Sequence, residues 1–238
     1  SQISCFGASD VEITVTAAGG TGALSYVLDQ IPGNTSGAAS GIFTGVPAGS
    51  YTITVTDINL CTITTLPVTV TQPAAVTATA EVTSNYYGSQ LSCFGASDGR
   101  ISVTASGGTG ALAYTLVEIP TNTTGAITGI FTGLPAGTYT VDVADLNACS
   151  VTTAPVTITP PPALTLSVNV TSNYNGWAIS CYGAYDGRAQ AVPGGGTGIY
   201  FYSWYSDAAM TIPIGQLTPD AINLAAGTYY VKVMDING

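Results

Sequence analysis

The octapeptide SCFGASDG at 92–99 occurs three times in this chain: it stands at 4–11 as SCFGASDV and at 180–187 as SCYGAYDG. The cysteines set the period. Cys5, Cys93 and Cys181 are 88 residues apart, as are Cys61 and Cys149, and each of the latter follows the first cysteine of its unit by 56 residues. Other landmarks keep step. GGTGAL recurs at 19–24 and 107–112, with GGTGIY at 195–200. PAGSYTITVTDINLC at 47–61 returns as PAGTYTVDVADLNAC at 135–149 and as AAGTYYVKVMDING at 225–238, where the offset has grown to 90. A period of this length makes the chain an array of one building unit, and a motif present in triplicate belongs to the unit before it belongs to any chemistry. The units are 1–73, without an N-terminal strand, 74–161, complete, and 162–238, without a C-terminal strand. In this register the chain is expected to be a window on a longer array, with a further cysteine due one position after Gly238.

The complete unit reads as strands and turns. VTATAEVTS alternates and is rich in β-branched residues; NYYGSQ is a turn; RISVTASGG and ALAYTLVEI are strands. PTNTTGAITG is a loop or weak edge strand and IFTGL is short. PAG is a tight turn, TYTVDVAD a strong strand, LNAC a turn and SVTTAPVTITP the closing strand. No stretch has a helical period. Seven or so short strands predict an all-β fold of tandem immunoglobulin-like β-sandwich repeats of about 88 residues, arranged as an extended array. Tyr51, Tyr139 and Tyr229 follow Ala-Gly where a tyrosine corner would sit, and Leu28, Leu116 and Trp204 hold the core position of the third strand. In IYFYSWY, Tyr200, Tyr202 and Trp204 share one face, read as core.

The linkers TQPAAV and TPPPAL carry prolines, which favour extended backbone and stiffen the joint. With strands of about 26 Å plus loops, each unit should advance the array by about 40 Å. Small-angle scattering of the chain is therefore expected to give a maximum dimension near about 120 Å, and a globular profile near about 60 Å would contradict the extended array.

Only 7% of the residues are charged, far below the usual quarter, so Thr, Ser, Asn and Gly must cover the surface. The net charge is −10, with Arg100, Arg188 and Lys232 the sole cations. That composition excludes nucleic acid, whose phosphates need clustered cations, and anionic lipid surfaces. No apolar run approaches the 18 residues of a membrane span. Five cysteines without a histidine point to disulfides and an extracellular, oxidising setting rather than zinc.

SCFGASDGRISVTASGGTGALAYTL followed by LPAGTYTVDVADLNAC resembles the SprB-type repeat of Bacteroidota cell-surface proteins, a family named for a mobile adhesin of gliding motility. The resemblance covers all three units. Val11 stands where the family has Gly, and Tyr185 is a second departure. It implies export by the type IX route, a surface location and long repeat arrays. The expected function is the structural stalk of an exported adhesin or filament, in gliding or attachment. The alternatives are a self-assembling extracellular fibre or sheath, and an accessory module of a secreted polysaccharide-degrading enzyme. The expected partners are neighbouring repeats of the same chain, with other copies or surface polysaccharide as further options. Neither nucleic acid nor membrane insertion is expected.

No catalytic residue, cofactor or metal is expected. There is no histidine, and GGTG ends a strand instead of opening a helix. Asp10, Asp98 and Asp186, with Asp57/Asn59, Asp145/Asn147 and Asp235/Asn237, have two readings. They are oxygen ligands for Ca²⁺, most naturally at a junction where Asp10 faces Asp145 and Asn147, or they are turn caps bonding their own backbone. The turn reading is preferred. Tyr86, Tyr87, Tyr174 and Trp177 either stack on sugars or pack between units, with junction packing preferred. The sequons at Asn34, Asn122 and Asn169 are read as chance.

The disulfide candidates are Cys5, Cys61, Cys93, Cys149 and Cys181. Equal spacing suggests Cys5–Cys61 and Cys93–Cys149 within units, with Cys181 awaiting a partner. Against this, the first and penultimate loops of such a sandwich lie at opposite poles, beyond the ~6 Å Cα separation a bridge needs. The bond would then cross a junction, from Cys5 to Cys149, unless QLSC forms a strand that returns the cysteine. The within-unit pairing is the favoured expectation.

Overall fold

The computed structural model describes residues 2–238. The chain divides into two compact units. One comprises the segment up to Ala80 with Val103–Gly129 and Thr140–Ala154, and the other comprises Glu81–Ser102, Ile130–Tyr139 and Pro155–Gly238. The boundary between them falls inside the middle repeat. The described residues form β-strands joined by turns.

The first repeat lies within the first unit. Its strands are β1 (Val11–Thr14), β2 (Ser25–Leu28), β3 (Ile42–Val46), β4 (Gly49–Tyr51), β5 (Ile53–Thr56), β6 (Thr62–Thr64) and β7 (Val68–Val70). They pair antiparallel as β2-β5-β6, β1-β3 and β4-β7. Alternation explains the core. Val11 and Ile13 of β1, Leu28 of β2, Ile53 and Val55 of β5, and Phe43 and Val46 of β3 all point inward and are buried together. Ile3 N–H donates to the Thr71 carbonyl, which ties the N-terminal segment to β7.

Two expected strands are each broken in two. SYTITVTD becomes β4 and β5, which pair with different sheets, and the closing strand becomes β6 and β7. The chain changes sheet at Thr52, whose N–H and hydroxyl are taken by Gln30 and Asp29. It changes again at Thr65–Pro67, where proline has no N–H for a ladder. Such crossings close the corner of a sandwich.

The tyrosine corner is present in all three repeats. Tyr51 and Tyr139 hydroxyls donate to the carbonyls of Pro47 and Pro135, both at 2.9 Å, and Tyr229 to Ala225 at 3.3 Å.

The middle repeat supplies β8 (Thr77–Val82), β9 (Gly99–Ser106), β10 (Ala113–Leu116), β11 (Ile130–Leu134), β12 (Gly137–Tyr139), β13 (Val141–Ala144), β14 (Ser150–Thr152) and β15 (Val156–Ile158). β10-β13-β14 and β12-β15 repeat the pairings of the first repeat, while β8 adds a third strand beside β9 and β11.

The third repeat, in the second unit, has β16 (Thr165–Val170), β17 (Gly187–Gly194), β18 (Tyr200–Tyr205), β19 (Asp220–Leu224) and β20 (Tyr230–Asp235), ordered β16-β17-β19 and β18-β20. Its core is repacked. Where the first repeat has Leu28 opposite Ile53 and Phe43 opposite Ile13, the third has Trp204 opposite Val231 and Ala221 opposite Ala189. A side chain enlarged on one sheet, Leu28 to Trp204, accompanies one reduced on the other, Phe43 to Ala221. The indole N–H is satisfied by the Thr218 carbonyl at 3.0 Å. Of the face read as core, Trp204 is buried and Tyr202 packs against the cluster, while Tyr200 is half-buried and donates to the Gly195 carbonyl.

Candidate functional site

The repeated motifs converge on the joints between consecutive repeats, one in each unit. The octapeptide is a self-capped loop. Ala8 N–H donates to the Cys5 carbonyl, and Ser4 N–H reaches the Asp10 carboxylate at 3.3 Å. Ser92 with Asp98 and Ser180 with Asp186 repeat the second bond, at 3.2 and 3.1 Å. This cap turns the Ser carbonyl and the cysteine toward the next repeat.

The receiving loop is organised by a buried carboxylate. Asp145 accepts from Thr109 N–H at 2.7 Å with one oxygen, and from Asn147 and Cys149 N–H, both at 2.9 Å, with the other. Asp57 does the same with Thr21, Asn59 and Cys61, all at 2.9 Å. Asp235 takes Thr197 and Asn237 N–H, both at 3.0 Å. Leu60 and Ala148, just before the cysteines, adopt left-handed φ of 66° and 63°, which closes the turn. With their oxygens filled by N–H donors, these carboxylates act as the turn caps of the second reading. Asp10 and Asn147 do line one shallow recess, where the junction reading placed them.

For Asp57 the Thr21 N–H is the leading influence holding the carboxyl below its ordinary range. At Asp145 and Asp235 burial pushes upward, but the Cys149 and Thr109 N–H bonds, and the Thr197 and Asn237 bonds, outweigh it. Each folded-state pKa is thus depressed. The stabilisation is present above the unfolded carboxylate value near about 4 and is lost as pH falls through the folded value. Chemical denaturation is expected to give a midpoint that is level at neutral pH and falls below about pH 4. In Asp145→Asn, the part of this fall due to the first joint should vanish. An unchanged acid limb would refute the assignment.

The GG pair is more than a strand terminator. Gly108 N–H donates to the Ala74 carbonyl and Gly196 N–H to Pro162, both at 2.9 Å, so the linker docks on this loop. A Cβ on Gly107 would strike the Ala75 carbonyl, and one on Gly108, at φ +70°, would come within 2.8 Å of the Asp145 side chain. Glycine is required here because linker and carboxylate both approach the backbone closely.

The two halves then meet. In the first unit Asn147 Nδ2 donates to the Ser4 carbonyl at 2.9 Å, and Cys5 is bonded to Cys149 across a Cα separation of 5.7 Å. Phe6 faces a recess formed by Pro73–Val76, Gly108 and Asp145. In the second unit Asn237 Nδ2 donates to Ser92 at 3.0 Å, Phe94 faces the corresponding recess at Pro162–Leu164, and Cys93 Sγ lies 3.9 Å from the Gly238 carbonyl oxygen.

The within-unit disulfide pairing is therefore corrected. Cys5 does not bond Cys61, and Cys93 does not bond Cys149; the bond runs from one repeat to the next. The escape through QLSC fails because residues 90–93 form bends, not a strand. Buried Leu91 anchors this segment, and Gln90 accepts the Thr159 N–H at 2.7 Å. Cys61, Cys93 and Cys181 carry free thiols.

The aromatic candidates separate. Tyr86 and Tyr174 donate to the Asp98 and Asp186 carbonyls, at 3.0 and 3.3 Å, bracing the octapeptide of their own repeat. Tyr87 borders a recess with the Pro160–Pro162 linker, and Trp177 is exposed. Asn34 and Asn122 use their side-chain oxygens in turns with Ser36 and Thr124. The role of the Asn two residues after the Asp could not be read from sequence, since its partner sits in another repeat.

Strand sandwiches whose poles are shaped to lock onto their neighbours define a tandem immunoglobulin-like structural module. A family profile described as "SprB repeat" matches the chain three times, at residues 1–33, 89–117 and 179–209. No curated protein is matched. Among solved structures, the chain is similar to a C-terminal fragment of intimin in complex with the intimin-binding domain of the translocated intimin receptor (15% identity, 73% of this chain and 60% of that one, TM-score 0.31). It is also similar to the N-terminal eight Ig domains of Down syndrome cell adhesion molecule (12% identity, 97% of this chain and 33% of that one, TM-score 0.39). A third is protocadherin gamma B7 cadherin domains 1–4 (8% identity, 92% and 66%, TM-score 0.30). At TM-scores below 0.5 these likenesses carry no argument about this chain.

Proposed function

We propose that this chain is a non-catalytic, load-bearing segment of the stalk of an exported cell-surface adhesin or filament. The observation that carries the reading is the joint. A disulfide, an Asn-to-carbonyl bond and a docked linker are spent on holding one repeat to the next. A bond of this kind persists in an oxidising compartment, which supports export. The SprB repeat supports a surface setting.

Antibodies to the chain, applied to intact cells of the source organism, should label the exterior, and deletion of the repeats from the parent gene should impair attachment or gliding. Label that appears only after permeabilisation would overturn the reading. The purified chain should not turn over glycans or peptides. Reproducible turnover, lost when the aspartates of one repeat are replaced, would support the enzyme-module alternative instead.

A further inference from the structure

We propose that the joint between the middle and third repeats binds a neutral saccharide chain, with the Tyr87 ring as its stacking platform. The proposal does not rest on the stalk reading, and its test reads binding alone. Two observations carry it: an aromatic ring held out of the fold at a strained backbone position, and a cleft without charge beside it.

Tyr86 and Ser89 close a two-residue turn, each N–H donating to the other's carbonyl, at 2.6 and 3.1 Å. Tyr87 and Gly88 form its centre, with φ of 51° and 91°. Such a turn needs left-handed backbone at both positions, which favours Asn-Gly. The third repeat has that pair. Asn175 and Gly176 sit in the matching turn with φ of 51° and 94°, closed by Tyr174 and Trp177. Gly88 N–H is capped by the Asn85 side chain and Gly176 N–H by Asn173, at 2.8 and 2.7 Å, so the two turns are built alike. A bulky aromatic in left-handed backbone is strained. Packing does not offset the strain, since Tyr87 is 65% exposed. The turn gains nothing from this ring that Asn would not supply, so the ring serves something outside the fold.

Tyr87 lines a cleft of about 510 Å³, whose other walls are residues 88–90, the linker at 159–162 and the glycine loop at 195–198. All of them belong to one compact unit. The volume lies within the range of small-molecule sites. No charged residue lines the cleft, so phosphate, sulfate or a charged peptide finds no counter-ion. An extended peptide binds by pairing its backbone, and Pro160, Pro161 and Pro162 have no N–H to offer. A neutral sugar chain needs neither. One face of a pyranose ring is C–H and stacks on an exposed aromatic ring, while its hydroxyls take uncharged donors and acceptors. The Gln90 side-chain oxygen accepts from the Thr159 N–H and hydroxyl, at 2.7 and 2.9 Å, which leaves the amide nitrogen to donate to a ligand. The Ser89 hydroxyl can donate or accept. Gly195, Gly196 and Gly198 leave the facing backbone uncovered, so a ring can approach it closely.

The test is native electrophoresis of the whole chain in polyacrylamide containing a dissolved polysaccharide. The probes are the neutral laminarin, galactomannan and hydroxyethyl cellulose, and the anionic alginate. At least one neutral polymer should retard the chain, alginate should not, and polyproline added as a competitor should leave the retardation unchanged. Tyr87→Asn, which installs the residue of the third repeat's turn, should raise the Kd about tenfold, the loss of one stacking contact. Its melting temperature should be unchanged or higher, because the strain is relieved. Tyr87→Phe, which keeps the ring face, should stay within about fivefold of the parent. Retardation by none of the neutral polymers, retardation that survives Tyr87→Asn, a preference for alginate, release by polyproline, or a lower melting temperature in Tyr87→Asn would each overturn the proposal.

Discussion

Pulled from its two ends, the oxidised chain is expected to release about 490 Å less contour length than the reduced chain. Cys5 and Cys149 are 144 residues apart, and each residue spans about 3.4 Å when extended. The bond is a covalent shortcut, so tension passes through sulfur and the intervening residues never bear load. The within-unit pairing would instead hide two loops of 56 residues, seen as two separate deficits of about 190 Å. A single large deficit that disappears on reduction, or in Cys149→Ser, is the expected result. Two equal deficits, or none, would refute the inter-repeat bond. The same closure restricts the unfolded chain. For a loop of 144 residues, the chain-entropy relation gives about 5 kcal/mol, comparable to the whole stability of a small domain.

Trp204→Ala is expected to destabilise the third repeat by about 3–5 kcal/mol, near the limit of what a repeat of this size can lose and stay folded. Trp204 is 1% exposed and faces Val231, with the small Ala189, Ala191 and Ala221 completing its cluster. None of these can expand to fill the space, and the Thr218 carbonyl loses its indole donor. The compensating exchange makes a sharper test. Trp204→Leu with Ala221→Phe recreates the first repeat's arrangement of Leu28 and Phe43. The double variant should be more stable than Trp204→Leu alone, with non-additivity of about 1–3 kcal/mol. Urea unfolding followed by circular dichroism measures both. Strict additivity would show that the two positions do not share volume.

Much of the module is legible in the chain because it is local. Alternation places Val11, Ile13, Leu28, Ile53 and Trp204 in cores, since successive side chains on a strand point to opposite faces. Ala-Gly before Tyr51, Tyr139 and Tyr229 marks the corner, because the hydroxyl reaches a carbonyl only four residues back. Asp57, Asp145 and Asp235 read as turn caps for the same reason: each has an Asn N–H donor two residues ahead, and Asp57 and Asp145 also have a Cys N–H donor four ahead.

What the chain by itself determines is therefore the unit: its length, strands, corners and capped loops, each specified by contacts a few residues long or by a two-residue period. What only the tertiary structure decided is how the units meet. Equal spacing of Cys5, Cys61, Cys93 and Cys149 satisfies a bond within a repeat as well as one between repeats. The choice depends on which poles lie together. The linker docked on Gly108, with Asn147 reaching Ser4, brings Cys149 to Cys5 and leaves Cys61 exposed. The sheet changes at Thr52 and Pro67 and the Trp204–Ala221 exchange are hidden for a related reason. Each satisfies its local pattern either way, and only packing between sheets, made by residues distant in sequence, distinguishes them.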